Sequence, residues 1–432
     1  MTNGFIGGIH PDYKKTLTAD KPIEKLSYEK DEIVSIPLSQ HIGAPAQELV
    51  KKKEQVLCGQ KIGASKGFIS TNIHSSVTGE VVSIGNLNSP LTGKVKGINI
   101  KISNPEDSPK QIITGKKFQD LILEAGIVGM GGATFPTHVK LSPPKKIDTL
   151  IINGAECEPF LTCDYRQMIE STEEIIKGAK IIQDELKIEK LIIAVEDNKP
   201  EAIKAFNKYV HGFNFEVKAL PTVYPQGGEK QLILSVLGRI VPEGKLPLEV
   251  GVIVHNVATC KALYDAVENG LPLTERAVTV TGAVKEPKNL LVKIGTPVSK
   301  LIDACGGYVG EPEKIVIGGP MMGFSTNTTD MPVSKATSGV IVFRKEDLPS
   351  LKMTNCIRCG RCVNACPMGL VPAIMEQFAI SELYERLLDW HVLNCIECGC
   401  CSYVCPARRP LVGYFKTGKR QVMNIVKKRE NK

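Results

Sequence analysis

Between residues ~30 and 105, apolar and polar positions alternate over short stretches broken by Gly, Pro and Asn, as in "EIVSIPLSQ", "QKIGASKGFIS" and "SSVTGEVVSIGN". A period of two predicts short β-strands joined by tight turns, with a turn at Val77-Thr78-Gly79 and His74 on the surface beside it. From residue 118 the period lengthens. "FQDLILEAGI" places apolar residues at 118, 121, 122 and 125, a helical spacing, and Gly126 falls where a helix-ending glycine belongs. The continuous apolar runs "TLIIN", "LIIAV", "FEVKAL" and "VGVIVHN" then alternate with amphipathic segments such as "MIESTEEIIKGAKIIQDEL". Buried strands alternating with helices predict a parallel sheet covered on both faces. Beyond residue 274, "AVTVTGAV", "PVSKLIDACGG" and "KIVIGGPM" predict a small β-rich unit, and "PAIMEQFAISELYERLLDW" predicts two helices near the end of the chain.

These changes of period divide the 432 residues into five segments. An N-terminal segment with a β domain spans 1–110, an α/β domain 111–272, a small β-grasp-like domain 273–345, a cysteine-rich helical domain 346–415, and a basic tail 416–432. The fold class is multidomain α/β. "GQKIG" followed by "HSSVTGEVV" resembles the barrel-sandwich fold of lipoyl and biotinyl carrier domains. The matching turn carries no lysine to acylate, so a structural role is expected there.

Composition alters the picture in two places. The net charge of +8 is concentrated in the tail "KTGKRQVMNIVKKRENK", whose seven Lys or Arg and one Glu supply most of it. Aromatics are 5% and are not interleaved with basic residues, which argues against nucleic acid. The tail reads either as a solvated terminus or as a strip facing anionic lipid or an acidic partner. No apolar run approaches the ~18 residues that cross a bilayer, and the first residues lack the signature of a secretory signal. Fourteen cysteines without such a signal point to metal or redox use.

Nine of those cysteines lie between Cys356 and Cys405. "CIRCGRCVNACP" and "CIECGCCSYVCP" each spell C-x2-C-x2-C-x3-C-P, the run that holds [4Fe–4S] clusters in two-cluster ferredoxins, where the fourth cysteine of each run serves the other cluster. One cluster would take Cys356, Cys359, Cys362 and Cys405, the other Cys395, Cys398, Cys401 and Cys366. Cys400 is surplus, and Cys58, Cys260 and Cys305 read as buried apolar residues. Zinc would have no use for the third cysteine of each run.

The stretch "GIVGMGGATFPTHVKL" follows a helix and meets Pro136 soon after its glycines, so it is not a dinucleotide fingerprint of the strand–loop–helix kind. With "NGAECEPF", "YPQGGEK" and "HNVAT" it resembles the flavin- and NADH-binding subunit of respiratory complex I. That resemblance implies that Gly129, Gly131, Gly132, Lys140, Asn153, Glu156 and Asn256 line an FMN site. Phe135, Glu158 and Glu229 would face NAD(H), with Phe135 stacking on a base. The chain departs from the pattern at Ala155, Gly228 and His255. Over its whole length, from "GGIHP" through "GGATFPTHVKLSPP" and "INGAECEPFLTCDYR" to the two cysteine runs, it is similar to the C subunits of Rnf complexes.

The Rnf resemblance implies a peripheral subunit at the cytoplasmic face of the cell membrane. It would work with integral membrane and Fe–S subunits in a ferredoxin:NAD oxidoreductase coupled to ion transport, and would meet ferredoxin only indirectly. Hydride would pass between NAD(H) and FMN, and single electrons through two [4Fe–4S] clusters; no catalytic acid or base is nominated. A microcompartment cobalamin reductase and a flavin-free Fe–S scaffold are the alternatives.

Overall fold

The computed structural model describes residues 4–89, 93–110, 113, 117–349 and 352–430. Its first strand, β1 (Ile23–Lys25), pairs in parallel with a strand of the third domain, not with its sequence neighbours. The β domain proper is built from β2 (Ile33–Pro37), β3 (Gln47–Glu48), β4 (Gln55–Val56), β5 (Lys61–Ala64), β6 (Ile73–His74), β7 (Thr78–Ser89) and β8 (Gly93–Asn104). They form a sheet of order β2-β8-β7-β4 facing a smaller one of order β3-β5-β6. The expected turn at Val77-Thr78-Gly79 is displaced: the chain turns at 75–77 and Thr78 already belongs to β7. His74 is not on the surface but 4% exposed, because the third domain closes over it.

The α/β domain opens with α1 (Phe118–Glu124), the glycine loop and α2 (Thr137–Lys140). Its sheet is entirely parallel, of order β11-β10-β9-β12, with β9 at Thr149–Gly154, β10 at Lys190–Glu196, β11 at Glu216–Leu220 and β12 at Val252–Asn256. Helices α3 (Cys163–Glu170), α4 (Thr172–Glu185), α5 (Pro200–Asn207), α6 (Val210–Phe213), α7 (Glu229–Leu237) and α8 (Val257–Glu268) connect and flank the strands. Ile152 and Ile193 pack into one core with α4 and α8, while Ile151 and Ile192 pack into another with α7. Both faces of the sheet are thus covered, which is why its strands read as unbroken apolar runs.

The third domain is a six-stranded sheet of order β1-β14-β13-β17-β15-β16, with β13 at Glu275–Gly282, β14 at Lys288–Lys293, β15 at Lys314–Ile317, β16 at Phe324–Thr326 and β17 at Gly339–Phe343; α9 (Val298–Ala304) lies against it. It shares one continuous core with the β domain, Ile36, Ile98 and Ile100 packing with Val278, Val292 and Val340. Lys335 locks this junction. Its fully buried ammonium donates to the carbonyls of Asn72, from the β domain, and Gly126, at the root of the glycine loop, at 3.1 and 2.6 Å.

The cysteine-rich domain comprises α10 (Arg361–Asn364), α11 (Pro372–Ile380), α12 (Tyr384–Asp389), α13 (Cys400–Tyr403) and α14 (Leu411–Glu430). The tail expected to begin at 416 is the continuation of α14. Leu411, Phe415, Gly418 and Val422 recur at helical spacing and are buried against Leu387, Met375 and Val392, so only the outer face of this basic helix is solvated. Lys419 turns inward, donating to the Cys395 carbonyl at 2.8 Å and to Glu397 at 3.0 Å.

The N-terminal residues also leave the segment to which the sequence assigns them. They run as a strap between the α/β and cysteine-rich domains, where Gly8 N–H donates to the Ala365 carbonyl at 3.1 Å and Ile9 pairs with Tyr224. Gly7 has φ of +72°, and a Cβ there would lie 2.7 Å from the Cys366 carbonyl oxygen, so the backbones touch without room for a side chain.

Phe415 is 1% exposed at the centre of the last domain. Phe415→Ala should therefore cost about 3–5 kcal/mol of that domain's stability. The check is urea denaturation followed by the visible iron–sulfur absorption, which should be lost at lower urea while the circular dichroism of the α/β domain holds.

Candidate functional site

The glycine loop closes on itself through Gly129 N–H to the Phe135 carbonyl at 2.9 Å and Thr137 N–H to the Ile127 carbonyl at 3.1 Å. Between these ties, Gly131, Gly132 and Ala133 are exposed, and their N–H groups have no partner among the described residues. Gly132 has φ of +75°, and a Cβ built there would meet nothing within 4 Å; at Gly129 it would make only ordinary contact with the Phe135 backbone at 3.7 Å. The result is an open cradle of backbone donors, the surroundings that a phosphate needs. Met130 N–H, by contrast, is anchored to the Thr259 hydroxyl of α8 at 2.9 Å.

The polar residues beside this cradle come from the carboxyl ends of β9 and β12 and from the loop after β11, where open parallel sheets bind ligands. Asn256 caps α8 through its carbonyl oxygen, 2.8 Å from Ala258 N–H, and its amide donates to Asp164 at 2.6 Å. Gly131 lies against that amide, so close that a Cβ would stand 3.1 Å from Asn256 Nδ2. Lys140 and Glu229 form an ion pair at 2.7 Å. Asn153 donates to the Gly227 carbonyl at 3.0 Å and accepts from Ala155 N–H at 3.0 Å. His255 is 3% exposed and its Nε2 has no hydrogen-bond partner; burial, and secondarily Lys140, hold it neutral.

Several of the expected site residues have partners within the chain itself. Lys140 and Glu229, assigned by resemblance to different ligands, are partners in this structure. Glu156, expected at the flavin, accepts from Asp164 and Tyr165 N–H at 2.9 and 3.2 Å and so caps the start of α3. The carboxyl reaching Asn256 is Asp164, whose pKa is raised by burial and by the nearby Glu156. Within "LTCDYR" the one local signal of Asp164 is its place, an acid one residue into a helix that follows the β9 loop. Glu158, expected at the nucleotide, accepts from Met321 and Met322 N–H at 3.1 and 2.9 Å and ties this loop to the third domain. Phe135 is half-buried at the loop's closing bond.

Lys15, from the N-terminal strap, carries no signal in the sequence. Its ammonium donates to the carbonyls of Glu156, Glu158 and Leu161, the first two at 2.8 and 2.9 Å and the last at 2.5 Å. One buried cation thus shapes the whole turn "AECEPFL".

The two cysteine runs come together in the last domain, where thiols of one run neighbour thiols of the other. Burial raises the Cys362 thiol and the neighbouring Cys405 adds to it; burial raises Cys401, with Cys395, Cys398 and Cys366 around it. Cys366 thus lies near the second run and Cys405 near the first, the proximity that crossed ligation would require. This all-thiol donor set fits two iron–sulfur clusters. Cys400 packs against Tyr224 and Cys157 and its side chain also meets that of Cys398, while Cys58, Cys260 and Cys305 are buried, as expected of those three. The Tyr224 hydroxyl donates to the Cys398 carbonyl at 2.7 Å, so the loop that carries Glu229 touches the second cysteine run directly.

A phosphate cradle at the edge of a parallel sheet, joined to a double cysteine cage, defines an iron–sulfur flavoprotein. Residues 122–265 match the Nuo51 FMN-binding domain, 3–105 the RnfC barrel sandwich hybrid domain, 277–325 the SLBB domain and 348–406 the 4Fe-4S dicluster domain. The chain is 48% identical, over 96% of its length and 93% of the relative's, to the C subunit of the proton-translocating ferredoxin:NAD(+) oxidoreductase complex of Clostridium ljungdahlii. It is 42% identical, over 97% of each chain, to the C subunit of the Na(+)-translocating ferredoxin:NAD(+) oxidoreductase complex of Acetobacterium woodii. To the C subunit of the ion-translocating oxidoreductase complex of Rhodobacter capsulatus it is 42% identical over 85% of this chain and 73% of that one. The chain belongs to this family, the C subunits of Rnf ion-translocating oxidoreductase complexes, which sets aside the cobalamin reductase and the flavin-free scaffold.

Glu158 gives the site a pH signature. Burial, opposed by the two backbone donors, raises its carboxyl to about 7. The folded chain therefore keeps this proton where the unfolded chain, with a carboxyl near ~4.3, has lost it. Its contribution to stability is fully present below the unfolded value and is lost as pH rises towards 7. Glu158→Gln should flatten that part of the profile, measured as urea midpoints at about pH 5 and about pH 7.5; an unchanged slope would assign it to other groups.

Proposed function

We propose that this chain is the peripheral electron-transfer subunit of a membrane-bound, ion-translocating ferredoxin:NAD oxidoreductase. The observation that carries the reading is the meeting, at one sheet edge, of the unpaired donors of Gly131, Gly132 and Ala133 with Asn256 and the Lys140–Glu229 pair, one loop away from Cys398. When bound, FMN supplies the exchange between paired electrons on NAD(H) and single electrons on iron–sulfur clusters.

The chain's own residues bind and orient. The cradle holds the flavin phosphate, Gly129 and Gly132 leaving the volume for it. Asn153 and Asn256 present fixed amides to the flavin. Lys140 neutralises anionic charge at the site and, by holding Glu229, keeps that carboxylate in place for the nucleotide, where Phe135 supplies a stacking face. The neutral His255 offers one free nitrogen beside Lys140. No side chain has to donate or remove a proton during hydride transfer, so none is named catalytic. Cys356, Cys359, Cys362 and Cys405 hold one [4Fe–4S] cluster, and Cys395, Cys398, Cys401 and Cys366 the other.

Among the described residues no helix is long and apolar enough to cross a membrane. In this reading the chain is held at the cytoplasmic face by integral membrane and Fe–S subunits, and electrons that began on ferredoxin reach it through them.

An anaerobic preparation should contain one FMN and about eight irons and eight acid-labile sulfides per chain. Gly129→Val adds volume that the protein itself accommodates. FMN affinity should therefore fall at least ~ten-fold, about 1.4 kcal/mol, with iron retained; full flavin binding would move the flavin elsewhere.

Cys366→Ala separates crossed from uncrossed ligation. The EPR signal of the cluster built on Cys395, Cys398 and Cys401 should be lost and that of the Cys356 run kept, while Cys400→Ala should leave both. Loss on the Cys356 run instead would overturn the crossed assignment.

A further inference from the structure

The two cysteine runs share one spacing and lie in opposite surroundings. In the second, Cys398 and Cys401 are each 7% exposed, and Cys400 is buried with Tyr224, Cys157 and Ile9 at the seam with the flavin-binding domain. In the first, every residue from Lys352 to Arg361 is exposed, Cys356 and Cys359 included, with Ile357 at 66% and Met353 at 49%.

Their charges are opposite too. The residue before the second cysteine of each run has a left-handed backbone, φ +55° at Arg358 and +59° at Glu397. Glu397 is matched by Lys419 at 3.0 Å. Arg358, Arg361 and Arg408 are exposed and have no ion pair among the described residues. Arg408 belongs to the same edge, because Thr354 N–H donates to the Ala407 carbonyl and Arg409 to the Thr354 carbonyl, both at 3.1 Å. Residues 352–361 and 403–410 contain no Asp or Glu.

We propose that this edge, formed by Met353, Ile357, Arg358, Arg361 and Arg408, is the docking surface for the subunit's one-electron partner. That partner is a protein presenting Asp and Glu side chains around its own redox centre. The inference rests on the electron-transfer reading and deepens it: the Cys356 run faces the partner, and the Cys395 run faces the flavin-binding domain. The step moves one electron and makes or breaks no bond; the partner's centre is oxidised as this chain is reduced, or the reverse. Like-signed charge around an exposed ligand loop steers an acidic partner, and two apolar side chains at its centre give a dry contact once it arrives. An anionic lipid surface would also attract the arginines, but it carries no electron acceptor, and Met353 and Ile357 lie on a loop, not on an amphipathic helix.

The test titrates the full-length, flavin- and iron-loaded chain against detergent-solubilised complex purified from cells lacking this subunit. A parallel titration uses vesicles of phosphatidylcholine and phosphatidylserine. The double variant R358E/R408E should bind the complex about ten-fold or more weakly at low salt. The difference should shrink as salt rises, since exposed charges are screened within ~8 Å at physiological ionic strength. The control K146E/K187E, on the α/β domain, should bind like the unaltered chain. If the double variant loses iron, R408E alone, confirmed by iron content, carries the same expectation. Unchanged affinity of the variant, equal weakening by the control, or an effect confined to the vesicles would each overturn the proposal. Failure of NADH to reduce the unaltered chain would overturn the electron-transfer reading instead, and the two results are read separately.

Discussion

Two redox sites that exchange electrons through protein must be held at a fixed separation, and here the main chain takes part in each of the contacts that set it. The seam between the flavin-binding sheet and the cysteine-rich domain contains the Tyr224 hydroxyl on the Cys398 carbonyl, Gly8 N–H on the Ala365 carbonyl, and Gly7 against the peptide of Cys366. Side chains hop between rotamers, whereas main chain tied by hydrogen bonds on both sides does not. Cys398 of the second run and the loop that leads to Glu229 thus form parts of one contact. The N-terminal strap exists to complete it, which accounts for a glycine pair so near the start of the chain.

The other domain junctions rely on buried ammonium groups bonded to carbonyls. Lys15 gathers three carbonyls of the β9 loop, and Lys335 joins the β domain, the third domain and the root of the glycine loop. Burial alone lowers Lys335 to about 7, because carbonyl dipoles replace water without adding a counter-charge. A carbonyl-bound lysine is more demanding than a surface ion pair. It has geometry to satisfy on every side, so it specifies one arrangement of the domains. Both lysines act by shaping loops at the carboxyl end of the parallel sheet and beside it.

The α14 helix shows how charge and structure can be confused in a linear reading. Its six basic residues and low hydropathy suggested a tail, yet Leu411, Phe415, Gly418 and Val422 form a narrow apolar stripe that completes the last core. Lys419, one of those cations, reaches the carbonyl of Cys395, the first cysteine of the second run. The same helix therefore supports the iron–sulfur domain on one side and offers positive charge on the other.

What the sequence by itself determined was whatever depends on local spacing. The parallel sheet was legible because strands buried on both faces must be continuous apolar runs. The two cysteine runs were legible because a cluster tolerates few ligand spacings, and the glycine loop because glycines set so close together leave backbone uncovered by side chains. Only the tertiary structure decided which carboxylate serves what. Glu156 turned to cap α3 and Glu158 to hold the third domain, leaving Asp164 beside Asn256. It also decided that Lys140 and Glu229 are partners, that His74 is buried, and that Lys15 and Lys335 matter at all. Apart from the Glu156 cap, these facts join residues dozens to hundreds of positions apart. A carboxylate or an ammonium takes its role from the donors and acceptors that surround it, and no local pattern records them.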